Sequence, residues 1–521
     1  MRLGEIIVGR GLATVAQIEA ATERQKSQGG RLGTNLIAMG VLTTEQLESI
    51  IHDSPGLPQT VADTGIPLGN LVNLLLKFMH LEQHETVADL SDRLKLPASV
   101  VQNLIDEAIK RQYVISAGSV SRGIVYHNRY TLAERGRSAA LEAENQSQYL
   151  GPAPVALAVF QAQVMRQRIT NEMIDDTTLR GAFDGLVVPD HYLEKIGPAI
   201  NAGRTVLLFG PPGNGKTTMA TRVAALFKDV VYIPYAVEID GQIMKMYDPS
   251  LHKQAVTDNQ LGGLSTTNGL LREGFDERWV ACKRPVAIVG GELTLEMLDL
   301  QFGAESKFYE APLHVKALNG VFVIDDFGRQ QVTPESLLNR WIVPMESRVD
   351  YLKLNTGKSF MVPFDGLLIF STNLQPADLM DPAFLRRIPY KIKLFEPTRD
   401  EFRRIFEGVA KHYGLKLQDD LFDFIVERLS ACKHLLAYYQ PKFICEQVIE
   451  ACKYAGEPPK LTKKRVTNAL ANLYVEIEDQ RGSADAAEAP GPDLGSPDPG
   501  PLGIAEKPRK SPATGDAGSV G

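Results

Sequence analysis

The sequence has few residues able to staple or anchor it. Cysteine occurs four times in 521 residues, at Cys282, Cys432, Cys445 and Cys452. These lack the paired short spacings of a disulfide framework or a zinc site, and they read as reduced core residues. No stretch approaches 18 uninterrupted apolar residues, and Glu5 stands where a signal peptide would carry its apolar run. A membrane-spanning helix and a secretion signal are therefore not expected, and a cytoplasmic location is. Positive charge is not in excess either: 56 Lys+Arg against 63 Asp+Glu leave a net charge of −7, so no global basic field collects nucleic acid or an anionic membrane. The length leaves room for about three or four domains with sizeable cores.

One stretch organises the rest. Thr205-Val-Leu-Leu-Phe-Gly210-Pro-Pro-Gly213-Asn-Gly215-Lys216-Thr217-Thr218 reads as a buried strand, a glycine-rich turn and the opening of a helix that continues through Met219, Val223 and Ala224. Gly210, Gly213 and Gly215 allow backbone conformations that a β-carbon resists, so successive N–H groups can face phosphate oxygens at a helix N-terminus. In such a loop Lys216 reaches the β- and γ-phosphates and the Thr217 hydroxyl ligates Mg²⁺. ATP and Mg²⁺ are the expected ligands, with Gly210, Gly213, Asn214, Gly215, Lys216, Thr217 and Thr218 as the contact residues.

Other parts of a hydrolytic site follow downstream. Gly320-Val-Phe-Val-Ile324-Asp325-Asp326 is an apolar run ending in two acids. Asp325 suits Mg²⁺, held through water, and Asp326 suits orientation or deprotonation of an attacking water. Leu367-Leu-Ile-Phe370-Ser-Thr-Asn373 ends in an amide that can bond the same water or the γ-phosphate. Asp381-Pro-Ala-Phe-Leu-Arg386-Arg387 then presents adjacent arginines after a short helix. Their distance from the loop suggests service to a neighbouring subunit's site, the alternative being a salt-bridged helix end. The alternation of apolar runs and helical patterns from Thr205 to about Leu394 predicts a parallel α/β sheet. The helix Tyr192–Asn201 is an expected wall of the adenine pocket, and residues 398–478 read as a helical lid opened by the capping box Thr398/Glu401.

The front of the chain carries different signals. Arg2-Leu-Gly4-Glu-Ile-Ile-Val-Gly-Arg-Gly11-Leu12 returns as Arg31-Leu-Gly33-Thr-Asn-Leu-Ile-Ala-Met-Gly40-Val41, each copy followed by an amphipathic helix. Residues 70–140 read as a winged helix with a hairpin, Tyr113–Ser116 and Ile124–Tyr130, around Gly118 and Gly123. Its third helix begins Ala98-Ser-Val-Val-Gln-Asn-Leu-Ile-Asp106-Glu107, with no cation and two carboxylates. Phosphate contacts supply most non-specific affinity, so this face is poor for DNA and better suited to protein docking. From about Gly482 the tail is rich in Gly, Pro, Ala, Ser and Asp and is expected to be disordered.

These elements resemble the AAA+ ATPases over roughly 180–478. The resemblance makes Lys216 and Thr217 the Walker A residues, Asp325 and Asp326 Walker B, Asn373 sensor 1 and Arg386 or Arg387 the arginine finger. It departs at Asp326, one methylene shorter than the usual Glu, and at the lid, where Lys442 is the candidate for the sensor 2 cation. The hairpin Asp350–Leu354/Lys358–Val362 resembles the insertion of MoxR-like and chelatase-type members. Gly290-Gly-Glu-Leu, Ile324-Asp-Asp-Phe-Gly-Arg-Gln330, Leu338-Asn-Arg-Trp-Ile342 and Phe370-Ser-Thr-Asn-Leu374 resemble a bacterial group described as ATPases with chaperone activity associated with Flp pilus assembly. The front repeat resembles the N-terminal domain of type II secretion and type IV pilus assembly ATPases. Some of those bind cyclic di-GMP, which here implicates Arg2, Leu3, Gly4, Arg31, Leu32 and Gly33, although Ser54 replaces the glutamine that the first copy has at Gln25.

The expected architecture is thus a multidomain α/β protein: a tandem repeat domain at 1–53, a winged helix at 70–140, a helical connector at 141–178, an AAA+ parallel-sheet core at 179–395, a helical lid at 396–478 and a disordered tail at 482–521. The stretch between Val230 and Gly320 exceeds what the core requires and is read as containing an insertion. Within it Met244-Lys-Met-Tyr247-Asp is a candidate loop for gripping polypeptide, with simple packing as the other reading. The resemblance implies a homo-oligomeric ring, expected to be a hexamer, that uses ATP hydrolysis to remodel protein clients, in pilus or secretion assembly and under cyclic di-GMP control. The rival readings are a transcriptional regulator using the winged helix and a nucleotide-gated scaffold with little hydrolysis.

Overall fold

The computed structural model describes residues 4, 7–8, 11–28, 32–43, 46–47, 54–122, 125–227, 229–255, 275–431 and 434–474. The expected tail at 482–521, together with Arg2, Leu3, Arg31 and Cys432, lies outside them. Met1–Ala469 form one compact unit, and the second, Leu470–Gly521, contributes described residues only as far as Tyr474.

Five short strands form the central sheet, four of them built on apolar runs: β1 (Val206–Phe209), β2 (Val286–Val289), β3 (Val321–Ile324), β4 (Leu367–Thr372) and the edge strand β5 (Tyr390–Lys393). All are parallel, in the order β5-β1-β4-β3-β2. β3 and β4 are buried along their whole length, which is why they read as continuous apolar runs rather than as alternation. Successive side chains still divide between two layers. Val321 and Val323 cluster with Ile196, Met219 and Val223 on one face, and Phe322 and Ile324 cluster with Leu337, Leu338 and Trp341 on the other. The chain is therefore mixed α/β, with helices on both sides of a parallel sheet. The sheet order reverses beside β1, and such a switch point opens a crevice at the strands' C-terminal ends.

The surplus chain before Gly320 builds a second five-stranded sheet. Ala236–Ile239 and Gln242–Lys245 form an antiparallel pair. Tyr309–Glu310 adds to the Gln242–Lys245 edge and Gln301–Phe302 beyond it, while Val155–Ala156, from far upstream, adds to the other. This bears on two sequence readings, and at the second it favours packing. The 141–178 segment is not purely helical, because it supplies a strand to this sheet. The candidate gripping stretch at Met244 is not a projecting loop: Met244 and Met246 are buried, and the Tyr247 ring packs edge-on to Tyr235 and stacks on His252.

Ahead of the core come helices Leu68–Leu81, Val87–Leu94 and Ala98–Lys110, then the antiparallel pair Val114–Arg122/Val125–Leu132 and the helix Glu134–Gln146, which packs against the first. The hairpin differs from the reading in one respect. Gly118, at φ +93°, lies inside the first strand at a register shift between Ser116 and Ser119, so it makes a bulge and not the turn. This module is fixed to the second sheet. The Lys307 ammonium donates to the Asn145 carbonyl, Gln148 N to Ser306 O at 2.9 Å, and Tyr149 meets Phe308 edge to face. Arg278, only 2% exposed, pairs with Asp276 and donates to the carbonyls of Thr64 and Pro154.

In the N-terminal repeat the two copies make the same turn. Gly11 and Gly40 both have φ +69°, and Gly11 N to Val8 O and Gly40 N to Ile37 O are both 2.9 Å. Thr14 and Gln17 exchange backbone-to-side-chain bonds as a capping box, and Thr43 with Gln46 does the same. Beyond β5 come the helices Arg399–His412, Asp419–Ala431, Gln440–Ala455 and Lys463–Tyr474, the first opened by the reciprocal Thr398/Glu401 capping box.

Candidate nucleotide site

β1 runs into the loop Gly210–Gly215, and Gly215, at φ +78°, starts the helix Lys216–Ala224. Gly210 is required by close approach. A β-carbon there would lie 2.2 Å from the Leu394 carbonyl oxygen, which closes the end of β5 over the loop. Lys216 is buried and folds back on its own loop, its ammonium donating to the carbonyls of Gly210 at 2.9 Å and Pro211 at 2.8 Å. Burial pulls its pKa down, while Asp326 and Asp325 act in the opposite sense. Asn214 lies beneath the loop with both amide atoms buried and unpaired among the described residues. A loop with an orphaned amide, a buried cation and donors at a helix start suits an anionic ligand.

The acid pair sits at the C-terminal edge of β3. Thr217 Oγ1 donates to Asp325 Oδ2 at 2.7 Å, which joins the loop helix to β3 and sets out the two residues that would hold Mg²⁺. Thr218 is exposed beside it. Asp326 is in the left-handed region at φ +47°, and Asn373 Nδ2 donates to its Oδ1 at 2.8 Å. Two bonds hold β3 and β4 together at this edge: Phe327 N to Ser371 O and Thr372 Oγ1 to Phe327 O, both 2.7 Å. Gln330 contributes a clamp that the sequence did not reveal. Its Nε2 donates to Asp325 O at 3.0 Å and to Gly290 O and Asp326 O at 3.3 Å, while its Oε1 accepts from Gly328 N at 2.8 Å. The motifs Gly290-Gly-Glu-Leu and Ile324–Gln330 therefore meet in one amide. Glu292 caps the same turn by accepting from Gly290 N, and these backbone bonds hold its carboxyl below the usual range.

The two arginines differ. Arg387 is committed to Glu346 at 2.5 Å and to the Ala383 carbonyl. Arg386 is exposed, and nothing among the described residues pairs with it. No hydrogen bond or ion pair among the described residues joins either arginine to the loop. Lys442 is also apart: its ammonium lies 3.8 Å from Glu446 and is largely exposed. Among the described lid residues Tyr439 meets the loop, against Gly213. On the other side, Tyr192 of the helix Asp190–Asn201 accepts from Phe395 N at 2.8 Å, tying that helix to the entry of the lid. In the front repeat Gly4 packs on Ile18 of its own copy and faces Leu32 of the other, while Gly33 is buried; Arg2, Leu3 and Arg31, the other residues expected from the sequence at a cyclic di-GMP site, are among the residues not described.

Among known proteins, a family described as "Domain of unknown function (DUF8689)" matches residues 398–472, the lid. A vesicle-fusing ATPase of Caenorhabditis elegans is 26% identical over 197 residues, 34% of this chain and 22% of that protein, so the match spans about a fifth of the relative's length. Among solved structures, a mutant of Thermotoga maritima RuvB is similar over 55% of this chain and 70% of its own, with 15% identity and a TM-score of 0.30. Domain III of Thermotoga maritima DnaA is similar over 58% of this chain and 98% of its own, with 12% identity and a TM-score of 0.31.

Proposed function

We propose that this chain is an AAA+-type ATPase that assembles into a hexameric ring and couples ATP hydrolysis to the remodelling of protein clients. The observation that carries the reading is the convergence of loop and strand ends: Thr217 on Asp325 at 2.7 Å and Asn373 on Asp326 at 2.8 Å. Bound Mg²⁺·ATP supplies the phosphoanhydride that is broken. Lys216 would leave the carbonyls of Gly210 and Pro211 to face the phosphates, Thr217 and Asp325 would hold the metal, and Asn373, which donates to Asp326, would orient it to take the proton of the attacking water. Arg386, the unpaired member of its pair, is the finger offered to the next subunit. The front modules choose the client, in pilus or secretion assembly, and the repeat domain responds to cyclic di-GMP. No helix among the described residues is long and apolar enough to cross a membrane, in keeping with a cytoplasmic ring. The first half of the third helix of the front module, where Gln102 donates to Asp106, holds carboxylates and no cation, its basic residues coming only at the end with Lys110 and Arg111, which favours protein over DNA.

The test is Lys216→Ala. It removes the cation that faces the phosphates, so ATP binding should weaken and turnover should vanish; wild-type turnover in that variant would end the assignment. A second reading, a nucleotide-gated scaffold, is favoured by the commitment of the short Asp326 to Asn373, and steady-state turnover of the unmodified protein separates the two.

A further inference from the structure

The insertion before Gly320 encloses a hollow of its own. Its volume is about 420 Å³, within the span of small-ligand pockets, and its lining includes Lys245, Asp248, Glu310 and Lys316 together with Met297 and Leu313. The residues of the nucleotide site take no part in it. The four charged side chains form one chain of alternating sign. Lys245 Nζ donates to Glu310 Oε1 at 3.1 Å, and Lys316 Nζ donates to Glu310 Oε2 at 3.2 Å and to Asp248 Oδ2 at 3.1 Å. The other oxygen of Asp248 accepts from the backbone N–H and the hydroxyl of Ser250. A buried histidine fixes two members of the chain. His252 Nδ1 accepts from Asp248 N at 2.9 Å, so its Nε2 carries the hydrogen and donates to Lys316 O at 2.7 Å. Lys316 is itself only 8% exposed. Burying such charges costs desolvation, and apolar side chains of similar volume would pack as well or better.

The hydrogen-bonding capacity left over points to a ligand class. Each oxygen of the two carboxylates already accepts from an ammonium group or from Ser250. The two ammonium groups, with three hydrogens each, make three of these bonds and keep three donors free among the described residues. The hollow therefore asks for oxygen acceptors, while Met297, Pro312 and Leu313 offer an apolar wall. The charges of the chain cancel, so it gives polyanions no net field. We infer that this hollow is a second ligand site, for a carboxylate on a short apolar stem. The carboxylate takes the free hydrogens of Lys245 and Lys316, and the stem lies on Met297 and Leu313. Two sources carry such a group: a free apolar organic acid and the last residue of a polypeptide. The site stands whether or not the chain hydrolyses ATP.

Isothermal calorimetry on the full chain tests this with isocaproate, isocaproamide and isoamylamine, and with a short peptide ending in leucine as its free acid and as its amide. The acids should bind, and each amide should bind at least about tenfold more weakly, as expected when charge-assisted bonds become neutral ones. Peptide binding at least as tight as that of isocaproate assigns the site to polypeptide ends; weaker peptide binding assigns it to free acids. Met297→Trp fills the hollow and leaves the four charges in place, so it should abolish binding with the melting temperature held; Leu313→Trp does the same should the first variant unfold. Lys245→Met, at the half-exposed lysine, should weaken binding about tenfold. The inference falls if neither acid gives heat at about 10 mM ligand, if an amide binds as well as its acid, or if isoamylamine binds in place of isocaproate. It falls equally if the folded tryptophan variant or Lys245→Met binds like the wild type.

Discussion

At the scale of single residues, the geometry separates groups that would meet the reaction from groups that hold them in place. Gln330 belongs to the second kind, since its amide spans Gly290, Asp325 and Asp326 while anchoring Gly328. Gln330→Ala should lower turnover by about tenfold, roughly the ~1.4 kcal/mol expected for such lost bonds. Nucleotide affinity, which depends on the loop, should stay within about twofold by the same reasoning; a matching loss of affinity would show that the clamp supports the loop instead. Lys216, Thr217, Asp325 and Asn373 were legible in the sequence because each stands at a fixed offset from an apolar strand. Gln330 and Tyr439 were not, because each has a partner remote in the chain. Gln330 reaches across 40 residues to Gly290, and only the folded lid brings Tyr439 to Gly213.

At the scale of elements, the hairpin Val349–Lys353/Ser359–Pro363 stands on a buried charge cluster. Arg340 grips both oxygens of Asp350 at 2.7 Å, and His314 Nε2 lies 2.6 Å from the same carboxylate. Burial works to raise the Asp350 pKa, but the hydrogen bonds from His314 and Arg340 prevail and hold it at about 2, against an ordinary 3.8. A depressed carboxylate stabilises the fold above its unfolded pKa, so this contribution is intact above about pH 3.8 and is lost as pH falls toward 2. Asp350→Ala should cost about 3 kcal/mol, the low end for a broken buried pair, because half-buried Arg340 keeps Asp299 and the Leu298 carbonyl; urea unfolding at neutral pH measures it, and a loss below about 1 kcal/mol would mean that the cluster is solvated. The core strands Val206–Phe209, Val321–Ile324 and Leu367–Thr372 could be anticipated because each is built on an apolar run, whereas β5, with two lysines among four residues, carries no such signal. The second sheet could not: Val155–Ala156, Gln301–Phe302 and Tyr309–Glu310 are two residues each, too short for any periodicity to register.

At the scale of the whole molecule, the front module is part of the same body as the second sheet and not a tethered appendage. Arg278 and Asp276 are both about 2% exposed and join the strand before β2 to the carbonyls of Thr64 and Pro154. Arg278→Ala leaves Asp276 buried without its partner and should split unfolding, observed by calorimetry, into two transitions; a single unshifted transition would count against this coupling. Between subunits, Arg386→Ala protein mixed with Lys216→Ala protein should recover some turnover, since each supplies what the other lacks, whereas Arg387→Ala should act mainly through the loss of its bond to Glu346. No recovery in rings shown to be mixed would exclude a shared site.

The second sheet also fixes an order of events at birth. Its strands come from Val155–Ala156, Ala236–Lys245 and Gln301–Glu310, so the first waits on the ribosome until the last has been made. At roughly 5–20 residues per second that wait is on the order of ten seconds. During it the nascent front module exists without its platform, and chaperones have their best access to the chain.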